Sequence, residues 1–202
     1  MKNGAPSSPS NTRGSSNSQS STWSTTLLAP QYAELMVRFR NDNRDHLAIW
    51  EPTRSPQFYT EPYWRAQLRA NLLDFERGES CAFALLNADE NQVIGVANFT
   101  QITRGTMQSC YLGYSVGKAF EGRGFMQEGL TAACNYMFQT LRLHRIMANY
   151  LPHNARSGQL LKRLGFVVEG RARAAFKING VWEDHILTAR INPEHDRSPG
   201  YA

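Results

Sequence analysis

The residues best suited to chemistry lie between positions 111 and 130. Gly122 and Gly124 flank Arg123 in the run Lys118-Ala119-Phe120-Glu121-Gly122-Arg123-Gly124. Ahead of it, Tyr111, Leu112, Tyr114 and Val116 form an apolar run that reads as a buried strand. Behind it, Met126, Leu130, Cys134, Met137, Phe138 and Leu141 recur at helical spacing. A strand, a glycine turn and a helix in that order make an anion site. The first helical turn has free backbone N–H groups, and the helix dipole adds partial positive charge there. Gly122 and Gly124 lack a Cβ, so an anion can approach the backbone closely.

Other polar residues stand where chemistry is conceivable. Asn154 and Ser157 lie at the start of a predicted helix, where either could do no more than cap it. Glu51 follows Trp50 and precedes Pro52 in a predicted loop. Asp184 and His185 sit on a predicted strand, so one of them must point inward, which suggests a buried hydrogen-bonded pair. A G-x-G-x-x-G dinucleotide signature, a Walker lysine and a Ser/His/Asp elbow are all missing. No CxxC or Cys/His cluster suggests a metal.

The pattern predicts a short first strand over residues 25–30 and helices over 31–40, 43–50 and 61–77, the last stopped by Gly78. Strands follow over 81–86, 93–103 and 108–116 with short turns between them, which implies an antiparallel meander. The helix after the glycine turn should reach about Leu141. A strand over 145–151 and a helix over 155–164 capped by Gly165 come next. Residues 166–169 read as extended. Segments 175–178 and 181–189 flank Asn179-Gly180, a strong hairpin signal.

The 202 residues fit one domain, and the net charge of +5 suits a protein that handles anions. Cys81, Cys110 and Cys134 are scattered within apolar runs and read as buried, reduced thiols of a cytoplasmic protein. No apolar run approaches the roughly 18–20 residues that span a membrane. Residues 1–24 are rich in Ser and Asn without any acid, and are expected to be a disordered tail or a transit peptide. Residues 25–192 are expected to form the domain, with 193–202 a loose tail.

The order of elements and the residues resemble the GNAT acetyltransferases. That family's pyrophosphate loop, Arg/Gln-x-x-Gly-x-Gly/Ala, is matched by Ala119-Phe120-Glu121-Gly122-Arg123-Gly124, without the leading basic residue. Asn154-Ala155-Arg156-Ser157 and Leu164-Gly165-Phe166 resemble the family's next motifs. Trp50-Glu51-Pro52, Gly95-Val96-Ala97-Asn98-Phe99, Gly113-Tyr114-Ser115, His144-Arg145-Ile146 and Asp184-His185 look like the branch of RimJ-type ribosomal-protein alanine N-acetyltransferases. The resemblance covers about residues 40–190.

It implies an α/β (α+β) fold with a mixed, mostly antiparallel central sheet flanked by helices. It implies acetyl-CoA as cosubstrate, lying where strands 111–116 and 145–151 splay apart. Tyr114, Ser115 and Val116 would pair with the pantetheine through their backbone. The N–H groups of Gly122, Arg123, Gly124, Phe125 and Met126 would hold the pyrophosphate, with Arg123 or Lys118 adding charge. Asn154 would hold the pantetheine arm, and Ser157 would protonate the departing thiolate. A neutral amine attacks the thioester directly. Relatives place a glutamate where this chain has Phe176, so Glu51 becomes the candidate base. The α-amine pKa of about 7.7–8.0, against about 10.4 for lysine, saves about 3.5 kcal/mol of deprotonation at neutral pH, so a protein N-terminus demands little from that base. The acceptor so implied is the N-terminal alanine of the fifth small-subunit ribosomal protein, with the ribosome or its RNA as a further partner and a monomer or homodimer as the state. A small amine, an antibiotic or a lysine is the alternative acceptor. A non-catalytic ribosome-assembly or RNA-binding protein is the alternative class.

Overall fold

The computed structural model describes residues 12–13 and 23–194. Eight strands form one sheet in the order β1-β2-β3-β4-β5-β6-β8-β7. They are β1 (Thr12–Arg13), β2 (Trp23–Leu27), β3 (Cys81–Asn87), β4 (Val93–Thr103), β5 (Ser109–Val116), β6 (Arg145–Tyr150), β7 (Val167–Ile178) and β8 (Val181–Ile191). All neighbours pair antiparallel except β5 and β6, which run parallel. The helices are α1 (Ala33–Asp42), α2 (Arg44–Ala48), α3 (Glu61–Glu76), α4 (Phe125–Asn135) and α5 (Ala155–Arg163).

The strand β3 explains why helices lie on both faces. Cys81, Phe83 and Leu85 join the cluster under α4, while Ala82, Ala84 and Leu86 join the cluster under α1 and α3. Side chains alternate across a strand, so an unbroken apolar run buries both faces. Gly129 of α4 lies directly on this strand. A Cβ there would sit 2.1 Å from Leu85 Cδ2, so only glycine allows the helix this close. The three cysteines are free and buried, as their apolar surroundings predict. Burial pushes the Cys81 and Cys134 thiols up to about 12, so neither is a ready thiolate.

Three expectations differ from what is observed. The strand expected over residues 25–30 is β2 and starts earlier, at Trp23, because the Trp23 ring is buried and its Nε1 donates to Glu128 Oε2 at 2.7 Å. Thr12 and Arg13 pair with Thr25 and Ser24; the rest of the segment predicted to be disordered, and residues 195–202, lie outside the described residues. The helix after the glycine turn ends at Asn135 and continues as a π-helical turn, Tyr136–Thr140, closed by Leu141 N–H donating to Tyr136 O at 3.2 Å. The two extended pieces around residue 170 are one strand, β7, with register shifts between Val168 and Gly170 and between Ala172 and Phe176. Its apolar signal is weak because it is the sheet's edge and most of its residues are exposed.

Candidate active site

The parallel pair β5–β6 holds register for three residues only, Ser109 with Arg145, Cys110 with Ile146 and Tyr111 with Met147. Beyond Tyr111, β5 stays paired to β4 through Val116, and beyond Met147, β6 stays paired to β8 through Tyr150. The two strands therefore diverge, and the backbone of Tyr114, Ser115 and Val116 shows an unpaired edge to the opening. Ser115 Oγ is buried without a hydrogen-bond partner.

The glycine turn closes one lip of this cleft. Gly122 and Gly124 have φ of +72° and +82°, the left-handed region, and nothing lies within 4 Å of a Cβ built on either. Gly124 is the N-cap of α4, and no side chain caps that end. The N–H groups of Phe125 and Met126 in the first turn thus lack intrahelical partners. The side chain of Met126 itself is buried in the core. The Arg123 guanidinium lies 5.2 Å from the Phe125 ring centroid and 6.0 Å from that of Phe120. Lys118 N–H donates to Asn43 Oδ1 at 2.8 Å, which ties the turn to the end of α1.

The helix α5 closes the other lip. Asn154 is its N-cap, and its Oδ1 accepts from Ser157 N–H at 3.1 Å. Ser157 does not cap. Its Oγ lies 2.7 Å from Tyr114 Oη, across the cleft on β5. Burial pushes the Tyr114 phenol up to about 12, against a smaller lowering by the Ser157 hydrogen bond, so it stays protonated at neutral pH. Arg156 Nη1 lies 2.5 Å from Glu121 Oε2, one residue ahead of Gly122, and His46 Nε2 lies 3.8 Å from Glu121 Oε1.

Glu51 sits elsewhere in the charge pattern. Its Oε1 accepts from Arg40 Nη1 at 2.9 Å and its Oε2 from Arg54 Nη2 at 3.3 Å. Arg40 is 6% exposed and lies 5.3–5.5 Å from the ring centroids of Phe39, Phe58 and Trp64. Burial lowers its pKa, and Glu51 opposes that. Glu51 is therefore the counter-ion of a buried guanidinium, with both its oxygens engaged. Asn179 N–H also donates to Glu51 O at 3.2 Å, which docks the β7–β8 turn on the Trp50 loop. The Trp50 and His153 rings stand 5.6 Å apart.

The expectation for Asp184 and His185 holds in part. His185 points inward, is buried, and lies 4.6 Å from the Phe176 ring centroid. Asp184 points outward and the two are not paired. Its Oδ1 accepts from Ala174 N–H at 2.8 Å and its Oδ2 from Arg171 Nε at 2.9 Å. These bonds hold the β7 bulge, where Ala174 has φ +44°.

The side-chain roles of Tyr114 and Arg156 were not legible in the chain. Both residues lie within motifs, yet their partners are 43 and 35 residues away. A separate cavity of about 650 Å³ is lined by Leu35, Phe39, Asn43, Lys118 and Phe120, with none of Tyr114, Gly122, Asn154 or Ser157 in its wall. Among the described residues, no cluster of His, Cys, Asp and Glu could hold a metal, and no helix is long and apolar enough to cross a membrane.

Residues 28–167 match the family described as "Acetyltransferase (GNAT) domain". The chain is 46% identical over 173 residues to [Ribosomal protein uS5]-alanine N-acetyltransferase of Escherichia coli (strain K12), covering 86% of this chain and 84% of that one. The crystal structure of ribosomal-protein-S5-alanine acetyltransferase from Vibrio fischeri superposes with a TM-score of 0.83 at 35% identity, over 86% of this chain and 94% of that one. Mycobacterium smegmatis RimJ in complex with CoA-disulfide shares the fold, with a TM-score of 0.79 at 24% identity over 87% of this chain and 85% of that one.

Proposed function

This chain belongs to the GNAT acetyltransferases and is an acetyl-CoA-dependent N-acetyltransferase, and from that premise we propose that its acceptor is the N-terminal α-amine of a protein, namely the alanine that begins the fifth small-subunit ribosomal protein. The observation that carries the acceptor is the 46% identity to the Escherichia coli relative of that name, which spans 86% of the chain. Such an acceptor would put the protein in the cytoplasm, and the net charge of +5 suits work close to ribosomal RNA.

Acetyl-CoA supplies the reactive acyl thioester. The chain fits it at three places. The uncapped first turn of α4, with the open left-handed backbone at Gly122 and Gly124, suits a pyrophosphate. The free β5 edge at Tyr114, Ser115 and Val116 suits the pantetheine amides, strand-fashion. Asn154 uses Oδ1 as a cap and keeps its side-chain N–H groups for the pantetheine arm. Arg123 and Arg156 flank the turn in place of the basic residue that Ala119 lacks.

The amine nitrogen forms its bond to the acyl carbon as the carbon–sulfur bond breaks. A backbone N–H near Val116 polarises the carbonyl. Ser157 Oγ–H delivers a proton to the departing sulfur, and the N-terminus of α5 favours the negative charge there. The proton of the amine leaves to water or to Glu51. For Glu51 that requires release from Arg54, so water suffices for an α-amine whose pKa is about 7.7–8.0. We assign the acceptor to the loop at Trp50, on which His153 and the Asn179 turn dock.

Intact-mass spectrometry of ribosomal proteins from a strain lacking this chain tests the acceptor. The fifth small-subunit protein is expected to lose the mass of one acetyl group. If every N-terminus keeps its acetyl group, the acceptor is wrong and a small amine takes its place. If purified protein acetylates no amine at all, the RNA-binding alternative gains.

A further inference from the structure

We propose that Tyr114 is a positioning residue for the transfer step: its phenol holds the Ser157 hydroxyl so that the serine's own proton is aimed at the departing sulfur. This rests on the reading of Ser157 as the proton donor.

A serine hydroxyl has one proton and two lone pairs. If its proton were spent on a protein acceptor, Ser157 would have none to offer. The 2.7 Å contact with Tyr114 Oη can run in either direction, and the proposal takes Tyr114 as the donor. Tyr114 has a single proton and two nearby oxygens, Ser157 Oγ at 2.7 Å and Ser157 O at 3.4 Å. The first is a full hydrogen bond and the second is at the limit. A phenol pushed up by burial to about 12 keeps its proton at neutral pH and so has one to donate. With Tyr114 as the donor in the 2.7 Å contact, its O–H fills one lone pair of Ser157 Oγ, and the serine proton turns away from the phenol.

The frame around this pair is rigid. Asn154 Oδ1 caps α5 by accepting from the Ser157 N–H, so this turn does not need the Ser157 hydroxyl as its cap. Gly158 follows, and a Cβ there would lie 2.9–3.0 Å from Tyr150 ring atoms. The first turn of α5 thus rests flush on the Tyr150 ring at the end of β6. The Tyr114–Ser157 bond then spans the cleft from β5 to α5, above the point where β5 and β6 separate. Atoms held this way give a hydroxyl of fixed direction, and a misplacement of about 1 Å can cost about 100-fold in rate.

The proton balance needs no further reactant. The bond from Ser157 O–H to sulfur shortens as the carbon–sulfur pair of electrons moves to sulfur. The proton that leaves the amine nitrogen restores the serine through water, and Tyr114 keeps its proton throughout.

Tyr114→Phe removes one oxygen and keeps the ring. Steady-state kinetics should use acetyl-CoA and whichever amine the wild-type protein acetylates, a peptide beginning with alanine first. We expect kcat to fall by about 10- to 100-fold, with KM for acetyl-CoA unchanged and the thermal midpoint lowered by only about 2–4 °C. In a Ser157→Ala background the same substitution should cost nothing further. Wild-type kcat in Tyr114→Phe overturns the proposal, as does an equal loss in both backgrounds. Wild-type turnover in Ser157→Ala removes the donor itself and sinks both readings, whereas a slow Ser157→Ala with a normal Tyr114→Phe sinks the positioning role alone.

Discussion

Glu121 and Arg156 join the two lips of the cleft. Arg156 Nη1 lies 2.5 Å from Glu121 Oε2, with Glu121 directly ahead of Gly122 and Arg156 directly ahead of Ser157. Arg156 is 80% exposed, so the pair adds about 0–1 kcal/mol to stability. Its charges matter more for a pyrophosphate arriving beside them.

Arg156→Ala should raise KM for acetyl-CoA several-fold with kcat unchanged, since it takes the guanidinium from the Glu121 carboxylate beside the anion site and leaves it only the more distant His46. Glu121→Gln should do the reverse and lower KM, because it frees Arg156 for the phosphates. Both shifts should shrink as ionic strength rises. If the two variants move KM in the same direction, the charge account fails.

Gly124 offers a test of the anion site itself. Its φ of +82° costs an L side chain about 1–2 kcal/mol, while the space around it is open. Gly124→Ala should therefore lower the unfolding free energy by about that amount, since only backbone strain is added. Gly124→Trp should abolish acetyl-CoA binding in calorimetry by filling the approach to α4. Unchanged affinity in the tryptophan variant would put the pyrophosphate elsewhere.

Glu51 separates structure from catalysis. Glu51→Ala strips the counter-ion from Arg40, buried among three aromatic rings, and should destabilise the protein by up to about 3–5 kcal/mol in urea unfolding. Glu51→Gln keeps a hydrogen-bond acceptor for Arg40 and should retain most of kcat. A glutamine variant that folds normally but loses the rise of kcat/KM with pH would instead make Glu51 the base.

Asp184 carries a pH dependence of known sign. The Ala174 N–H, then the Arg171 side chain, hold its carboxyl below the usual carboxylate range, with burial opposing them. A carboxyl whose folded pKa is depressed stabilises the fold above its unfolded pKa of about 3.9, and that stabilisation is lost as pH falls through the folded value. Asp184→Ala should therefore unfold at lower urea than the wild type at pH 7, and the gap should close in strong acid. A gap that persists there would mean that the bulge is held by something other than the carboxylate.

Much of the scaffold could be read from local pattern. Strand β4 spans the expected 93–103, and α3 stops before Gly78, whose φ is +72°. Asn179 and Gly180 both have positive φ, the hairpin turn that their types predict. These are short-range consequences of backbone sterics and apolar period. The edge strand β7 reads in the sequence as two pieces, because an exposed strand has no alternation to show. The surroundings of Glu51 are not legible in the chain. Nothing near Glu51 in the chain reveals that Arg40 is buried against Phe58 and Trp64, since that burial is made by helices packing together.

By itself, the chain determined the order of elements, the left-handed glycine turn ahead of α4 and the Asn154 cap of α5. Each depends on residues within a few positions of one another. Only the tertiary structure decided that β5 and β6 part after Tyr111, that Tyr114 meets Ser157, and that Glu121 meets Arg156. Those contacts join residues 35 or more positions apart, and their geometry follows from how the sheet twists and where the helices dock on it, which local propensity does not specify.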